Sequence, residues 1–266
     1  MLIATDLDGT LVPNDSTDIS PRTAAALRDA DAAGVPVVFV TGRPLRWMES
    51  FWSHVGTHGM AIVSNGAVTF DVATETVRRV QGIDADVGLR ICELVARVER
   101  SATFAIECLD GIRRDERFVD TYGSPAGSPR GSLSELWTEP AVKLLIRCLD
   151  TSDPVGFRER VTEAVRPLAT PTWSMSGLVE VSAPGVHKAS ALARLCRDLG
   201  VDRSDVIAFG DMPNDIPMLS WAGRSYAMAD ADPLVSEVAT GMAPPCEEDG
   251  VAQVLERLLL ETRRGG

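Results

Sequence analysis

The stretch Met1-Leu2-Ile3-Ala4-Thr5-Asp6-Leu7-Asp8-Gly9-Thr10 decides how this chain is read. Five uncharged residues, too few for a helix, run into two carboxylates one residue apart and then a glycine. An apolar run of that length predicts a strand buried on both faces, and such strands belong to parallel sheets. Gly9 supplies a turn that lets Asp6 and Asp8 leave the strand toward one pocket. Carboxylates so placed can divide the work of nucleophile and proton carrier, and their mutual repulsion calls for a cation. A hard divalent ion such as magnesium takes oxygen ligands and bridges to phosphate.

Working outward, the same grammar recurs. Ser20-Pro21 opens a helix as N-cap and first-turn proline, and Gly34 closes it. Val35–Val40 is a second apolar strand, ending at Thr41-Gly42. Met60–Val63 is a third, ending at Ser64-Asn65-Gly66, and Val206–Phe209 a fourth, ending at Gly210-Asp211. Strands alternating with helices predict an α/β core, Rossmann-like, with a mostly parallel sheet. Ligands of such sheets bind beyond the carboxyl ends of the strands, which singles out Asp6, Thr41, Asn65 and Asp211. Asn65-Gly66 also reads as a plain turn signal. Gly210-Asp211-Met212-Pro213-Asn214-Asp215 is a second acidic cluster that completes a cation site with the first.

Between Gly82 and about Ala183 the pattern changes. Helical spacing over Asp86–Arg100 is followed by strand-like Thr103–Cys108, a turn-rich stretch from Tyr122 to Ser134, and strand-like Val142–Leu149. A helix over Val155–Val165 and short strands near Thr170–Ser174 and Leu178–Ser182 complete it. The segment predicts an inserted α+β domain, residues 83–183, between the two parts of the core, 1–82 and 184–266. Lys143, in an apolar strand of this insertion, reads as an edge-protecting charge. Gly250–Thr262 is a closing amphipathic helix, with a frayed tail from Arg263.

Composition narrows the function classes. The chain has 266 residues and a formal net charge of −12, so general binding to nucleic acid or an acidic membrane is disfavoured. No apolar run approaches the ~18–20 residues of a membrane span, and the first strand lacks the basic flank of a secretory signal. Five widely spaced cysteines form no metal or redox pair, and the expected compartment is the reducing cytoplasm. His54, His58 and His187 show no ligand spacing. Lys143 and Lys188 are the only two lysines among 26 basic residues. Where arginine fills nearly every cationic position, a remaining lysine marks a place that a guanidinium fork does not suit.

Asp6-Leu7-Asp8-Gly9-Thr10, Val40-Thr41-Gly42-Arg43, Lys188 and Gly210–Asp215 together resemble the four motifs of the haloacid dehalogenase superfamily. The intervals are 33 residues from Asp8 to Thr41, 147 from Thr41 to Lys188 and 23 from Lys188 to Asp211. The long middle interval is similar to that of the Cof-type phosphatases, whose α/β cap is inserted between the second and third motifs. The resemblance implies Asp6 as nucleophile, forming an aspartyl-phosphate, and Asp8 as the acid and base. It implies Thr41, Lys188, Asn214 and the backbone at Leu7 and Gly42 as phosphate ligands. It implies Mg2+ on Asp6, the Asp8 carbonyl and Asp211, with Asp215 a ligand or its support. Asp8 stands where related transport ATPases carry threonine, which favours turnover by water. The expectation is a cytoplasmic magnesium-dependent phosphomonoesterase acting on a small phosphorylated metabolite, a sugar phosphate in the first instance. The alternatives are a phosphomutase of the same superfamily and a non-catalytic phosphate-binding module.

Overall fold

The chain opens with β1 (Leu2–Thr5), all four residues buried, followed by α1 (Pro21–Ala32). Ser20 caps α1 by accepting the Thr23 N–H, and Pro21 stands in its first turn, where a missing N–H costs nothing. Next come β2 (Val37–Val40), β3 (Met60–Val63), β4 (Val68–Asp71) and β5 (Thr76–Val80). The middle of the chain holds α2 (Ala85–Val98), β6 (Thr103–Cys108), β7 (Gly111–Arg114), α3 (Leu133–Leu136), β8 (Lys143–Arg147), α4 (Pro154–Val165), β9 (Thr170–Thr172) and β10 (Leu178–Ser182). The last part holds α5 (Lys188–Leu199), β11 (Val206–Gly210), α6 (Ile216–Trp221), β12 (Arg224–Met228), α7 (Pro233–Ser236), β13 (Gly241–Ala243) and α8 (Gly250–Gly265). The structure, a computed structural model, describes every residue except 15, 57–58, 121–123, 149–151 and 266. The expectations attached to His58, Tyr122 and Leu149 therefore fall outside the described residues. The closing helix continues past the predicted fraying point at Arg263.

Two compact units result: Met1–Arg79 with Lys188–Gly266, and Val80–His187. The first unit carries an eight-stranded sheet in the order β13-β12-β11-β1-β2-β3-β4-β5. The pairings from β13 through β3 are parallel, and β4 returns antiparallel on β3. The predicted mostly parallel α/β sheet is therefore present. Alternate residues Leu2 and Ala4, Val38 and Val40, and Val206 and Ala208 join one core with Leu192 and Leu195 of α5 and Met218 and Leu219 of α6. Each fully buried Leu or Val of that layer contributes about 1.5–3 kcal/mol of hydrophobic stabilisation. Because β1, β2, β3 and β11 run the same way, the residues that follow them emerge at one edge of the sheet. β1 lies between β11 and β2, where the order of connection reverses, the ligand-binding position of open α/β sheets.

The second unit carries a five-stranded antiparallel sheet in the order β7-β6-β8-β10-β9. On α2 the buried residues Gly88, Ile91 and Val95 form one stripe, and on α4 Phe157, Val161 and Val165 form another. Gly88 is required because the Trp137 ring lies 1.8 Å from where a Cβ would stand. Lys143 corrects the edge reading: β8 is the middle strand, flanked by β6 and β10, and the edges are β7 and β9. Its ammonium is buried and ion-paired with Glu180 of β10. A short apolar strand does not reveal whether it has neighbours on both sides, so the edge reading had no positional information behind it.

Candidate active site

The centre of the site is a lysine with no solvent exposure. Lys188 opens α5, and its Nζ lies 2.8 Å from Asp6 Oδ1 and 2.7 Å from Asp215 Oδ1. Asp6 follows β1, and its N–H continues the ladder to Phe209 O of β11 at 3.1 Å. Asp215 sits in the short turn before α6, where its Oδ2 accepts the N–H groups of Asp211 and Met212 at 3.2 and 3.1 Å. Both oxygens of Asp215 are therefore engaged, one on the lysine and one in holding the loop after β11. That loop approaches so closely that a Cβ on Gly210 would stand 2.5 Å from Asp215 Cγ.

Asp211 completes the group. Thr10 Oγ1 donates to its Oδ1 at 2.8 Å, a contact that joins the first and fourth motifs. Gly9, at φ +72°, turns the chain away from β1 and leaves room that a Cβ would fill, 2.3 Å from Asp211 Oδ2. One oxygen each from Asp6, Asp211 and Asp215 lies within 4.8 Å of the others, and all three residues are buried. Lys188 pairs with Asp6 and Asp215 but not with Asp211, so the three carboxylates, when ionised, outnumber the ammonium among them. Burial pushes the Asp6 carboxyl up to about 7, with Asp215 and Asp8 adding to the rise and Lys188 opposing it. Burial pushes Asp211 up to about 8, with Asp6 and Asp215 adding and the Thr10 hydroxyl and Lys188 opposing. Burial works to lower the Lys188 ammonium, yet Asp215 and Asp6 overcome it and hold its pKa above the usual lysine value. A set of oxygen donors with unbalanced negative charge, and a cradle kept open by Gly9, fits a hard divalent cation.

The other residues singled out by sequence divide in two. Thr41, Asn65 and Asn214 are buried at the ends of their strands or turns. Thr41 Oγ1 accepts the Arg43 N–H at 3.0 Å, and Asn214 Nδ2 donates to Asn65 Oδ1 at 3.1 Å, beside Gly42. Leu7 is fully buried, and its carbonyl accepts the Thr10, Leu11 and Val12 N–H groups that fix the turn. Asp8 stands apart: its side chain is 55% exposed and paired with Arg43, whose Nε lies 3.0 Å from Oδ2. The Arg43 guanidinium rests over the Phe51 ring, 4.7 Å from its centroid. Sequence reading gave Thr10 no role, although it stood inside the quoted motif; only the chain turn at Gly9 brings it onto Asp211.

A second group of candidate ligands among the described residues is Cys108, Asp110 and Glu139 in the other unit. Arg113 already donates to both carboxylates at 2.9 and 2.7 Å and supplies the cation there.

The family model for haloacid dehalogenase-like hydrolases matches residues 3–255, which takes in every residue of the site. The chain is a haloacid dehalogenase-like hydrolase. This is the family that the four motifs resembled. It is 30% identical over 261 residues to 5-amino-6-(5-phospho-D-ribitylamino)uracil phosphatase of Bacillus subtilis, covering 97% of this chain and 96% of that one. It is 29% identical over 269 residues to HMP-PP phosphatase of Yersinia pseudotuberculosis, covering 97% and 95%. Among solved structures it shares the fold of a sugar phosphatase of subclass IIB, with a TM-score of 0.82 over 97% of this chain and 98% of the other at 21% identity. As a haloacid dehalogenase-like hydrolase it is an enzyme. No helix among the described residues is long and apolar enough to cross a membrane.

Proposed function

We propose that the protein is a magnesium-dependent phosphomonoesterase for a small phosphorylated metabolite, with a sugar phosphate as the first candidate. The observation that carries this reading is the fully buried Lys188 gripping Asp6 beside Asp211 and Asp215. Such an ammonium holds Asp6 in place and neutralises one oxygen of an incoming phosphoryl group, and phosphoryl transfer asks the protein mainly for that positioning and charge balance. The named activities of the Bacillus and Yersinia relatives, both phosphatases of small metabolites, support the same class.

In the proposed sequence a free Asp6 oxygen attacks phosphorus while the bond to the ester oxygen breaks. Asp8 in its protonated form, out of the Arg43 ion pair at the exposed side of the turn, gives its proton to that leaving oxygen. Water, losing a proton to Asp8, then attacks the phosphorus of the aspartyl-phosphate, and Asp6 is restored as inorganic phosphate departs. Thr41, Lys188, Asn214 and the backbone at Leu7 and Gly42 hold the phosphoryl oxygens throughout. Asp6, the Asp8 carbonyl and Asp211 would hold Mg2+, with Asp215 fixing the loop behind them. When bound, the ion supplies positive charge to the phosphoryl oxygens. Selectivity among esters is assigned to the inserted unit, residues 83–183 in the sequence reading.

The test is hydrolysis of a panel of phosphorylated metabolites with and without chelator, together with acid quenching to trap phosphate on the protein. Magnesium-dependent release of phosphate and label on Asp6 are expected. Full activity in metal-free buffer would sink the metal reading, and isomer formation without phosphate release would favour a mutase.

A further inference from the structure

Three consecutive residues after β3 have left-handed backbones: Ser64 at φ 52°, Asn65 at 57° and Gly66 at 104°. Two of them carry a Cβ, and residues other than glycine enter this region at a cost that surrounding structure must override. Here the turn is tied into its surroundings. The Ser64 N–H donates to Arg43 O at 2.9 Å and the Asn65 N–H to Thr41 O at 3.0 Å, so the turn grips both sides of Gly42. The Asn65 side chain crosses above Gly42, with Oδ1 3.1 Å from where a Cβ would stand, and accepts Asn214 Nδ2 at 3.1 Å. Asn65 and Asn214 are both buried. Both oxygens left without a partner here, Ser64 Oγ and Asn214 Oδ1, are buried too.

We infer that Asn65 is a positioning residue for phosphate binding: it orients the Asn214 carboxamide and locks the Thr41-Gly42-Arg43 loop. This rests on the proposed role of Thr41, Gly42 and Asn214 as phosphate ligands. An amide has two chemically different ends, and one hydrogen bond decides which end faces inward. With one Nδ2 hydrogen committed to Asn65 Oδ1, the carboxamide of Asn214 cannot turn over without losing that bond, and the second Nδ2 hydrogen is the donor left for a phosphoryl oxygen. Three chain segments, the ends of β2 and β3 and the loop after β11, are thereby fixed as one surface through a single side chain and its own N–H.

The competing reading is that asparagine stands at position 65 only because it tolerates the left-handed backbone. Asn65→Gly separates the two, since glycine adopts φ 57° with no steric cost and keeps the backbone N–H but removes the carboxamide. If positioning is its role, Asn65→Gly keeps a cooperative denaturation transition, weakens competitive inhibition by inorganic phosphate about tenfold, and lowers kcat/KM by the same factor for every ester. Uniformity across esters is expected because the phosphoryl group is common to all of them. In the Asn214→Ala background, Asn65→Gly should then cost little more, because its effect runs through Asn214. Wild-type phosphate inhibition in Asn65→Gly, or losses that simply add in the double variant, would overturn the inference while leaving the phosphatase reading intact. A wild-type protein that neither hydrolyses phosphate esters nor binds inorganic phosphate would overturn both.

Discussion

Metal-free protein should lose stability as pH rises through neutrality, and magnesium should abolish that loss. Asp6 and Asp211 are pushed from 3.8 up to about 7 and about 8, chiefly by burial. Between the unfolded and folded values the native chain binds more protons than the unfolded chain, so unfolding free energy falls with rising pH. Since Asp6 raises Asp211, the pair is counted as holding one extra proton. One extra proton corresponds to about 1.4 kcal/mol per pH unit, or about 3 kcal/mol between pH 5 and 7. Asp71, Glu99, Asp202 and Glu256 have lowered values, so their contributions are lost only toward acid, below this window. His54 is lowered by burial and by Arg28, and it favours the folded state as pH rises through the histidine range. Urea titrations at pH 5 and 7, each in chelator and in excess magnesium, remove the His54 contribution by difference. Magnesium should stabilise the protein by about 3 kcal/mol more at pH 7 than at pH 5, because it replaces the proton that the carboxylates otherwise keep. Equal stabilisation at both pH values would refute the argument that these carboxylates form the cation site.

Asp6→Asn should abolish turnover, because an amide is no nucleophile, while raising metal-free stability at pH 8; steady-state hydrolysis and denaturation check both, and near-normal rates would end the covalent mechanism. Lys188→Met leaves Asp6 and Asp215 facing each other without their cation, and should cost about 3–5 kcal/mol of stability together with activity. Lys188→Arg forces a larger group into a fully buried space, so it should lose about 1–3 kcal/mol as well as rate, and wild-type kinetics in that variant would remove Lys188 from the site. In the other unit, Lys143→Met should destabilise by about 3 kcal/mol because the buried Glu180 carboxylate loses its ammonium, and adding Glu180→Gln should restore part of it in thermal denaturation.

Much of the first unit was legible because its signals are local. Apolar runs such as Leu2–Thr5 and Val37–Val40 are buried on both faces, so each reads as a parallel strand without reference to its neighbours. Glycine follows them because a turn at the sheet edge needs it, and the acidic residues there are candidate ligands for a cation. Asp6, Thr41, Lys188 and Asp211 could thus be picked out one by one, and scarcity of lysine added weight to Lys188. What sequence could not supply was pairing, since contacts between residues far apart depend on how the chain crosses itself. Asp8, two residues from Asp6, turns outward to Arg43, while Asp215, 209 residues from Asp6, shares its lysine. Lys143 looked like an edge charge until the sheet order placed β8 between β6 and β10. Thr10 reaches Asp211, and Asn65 reaches Asn214, only because four parallel strands end along one edge and bring their turns together. Local patterning determined the elements and the chemistry available at their ends; tertiary packing decided which of those ends meet, and so which charges are buried and must be balanced.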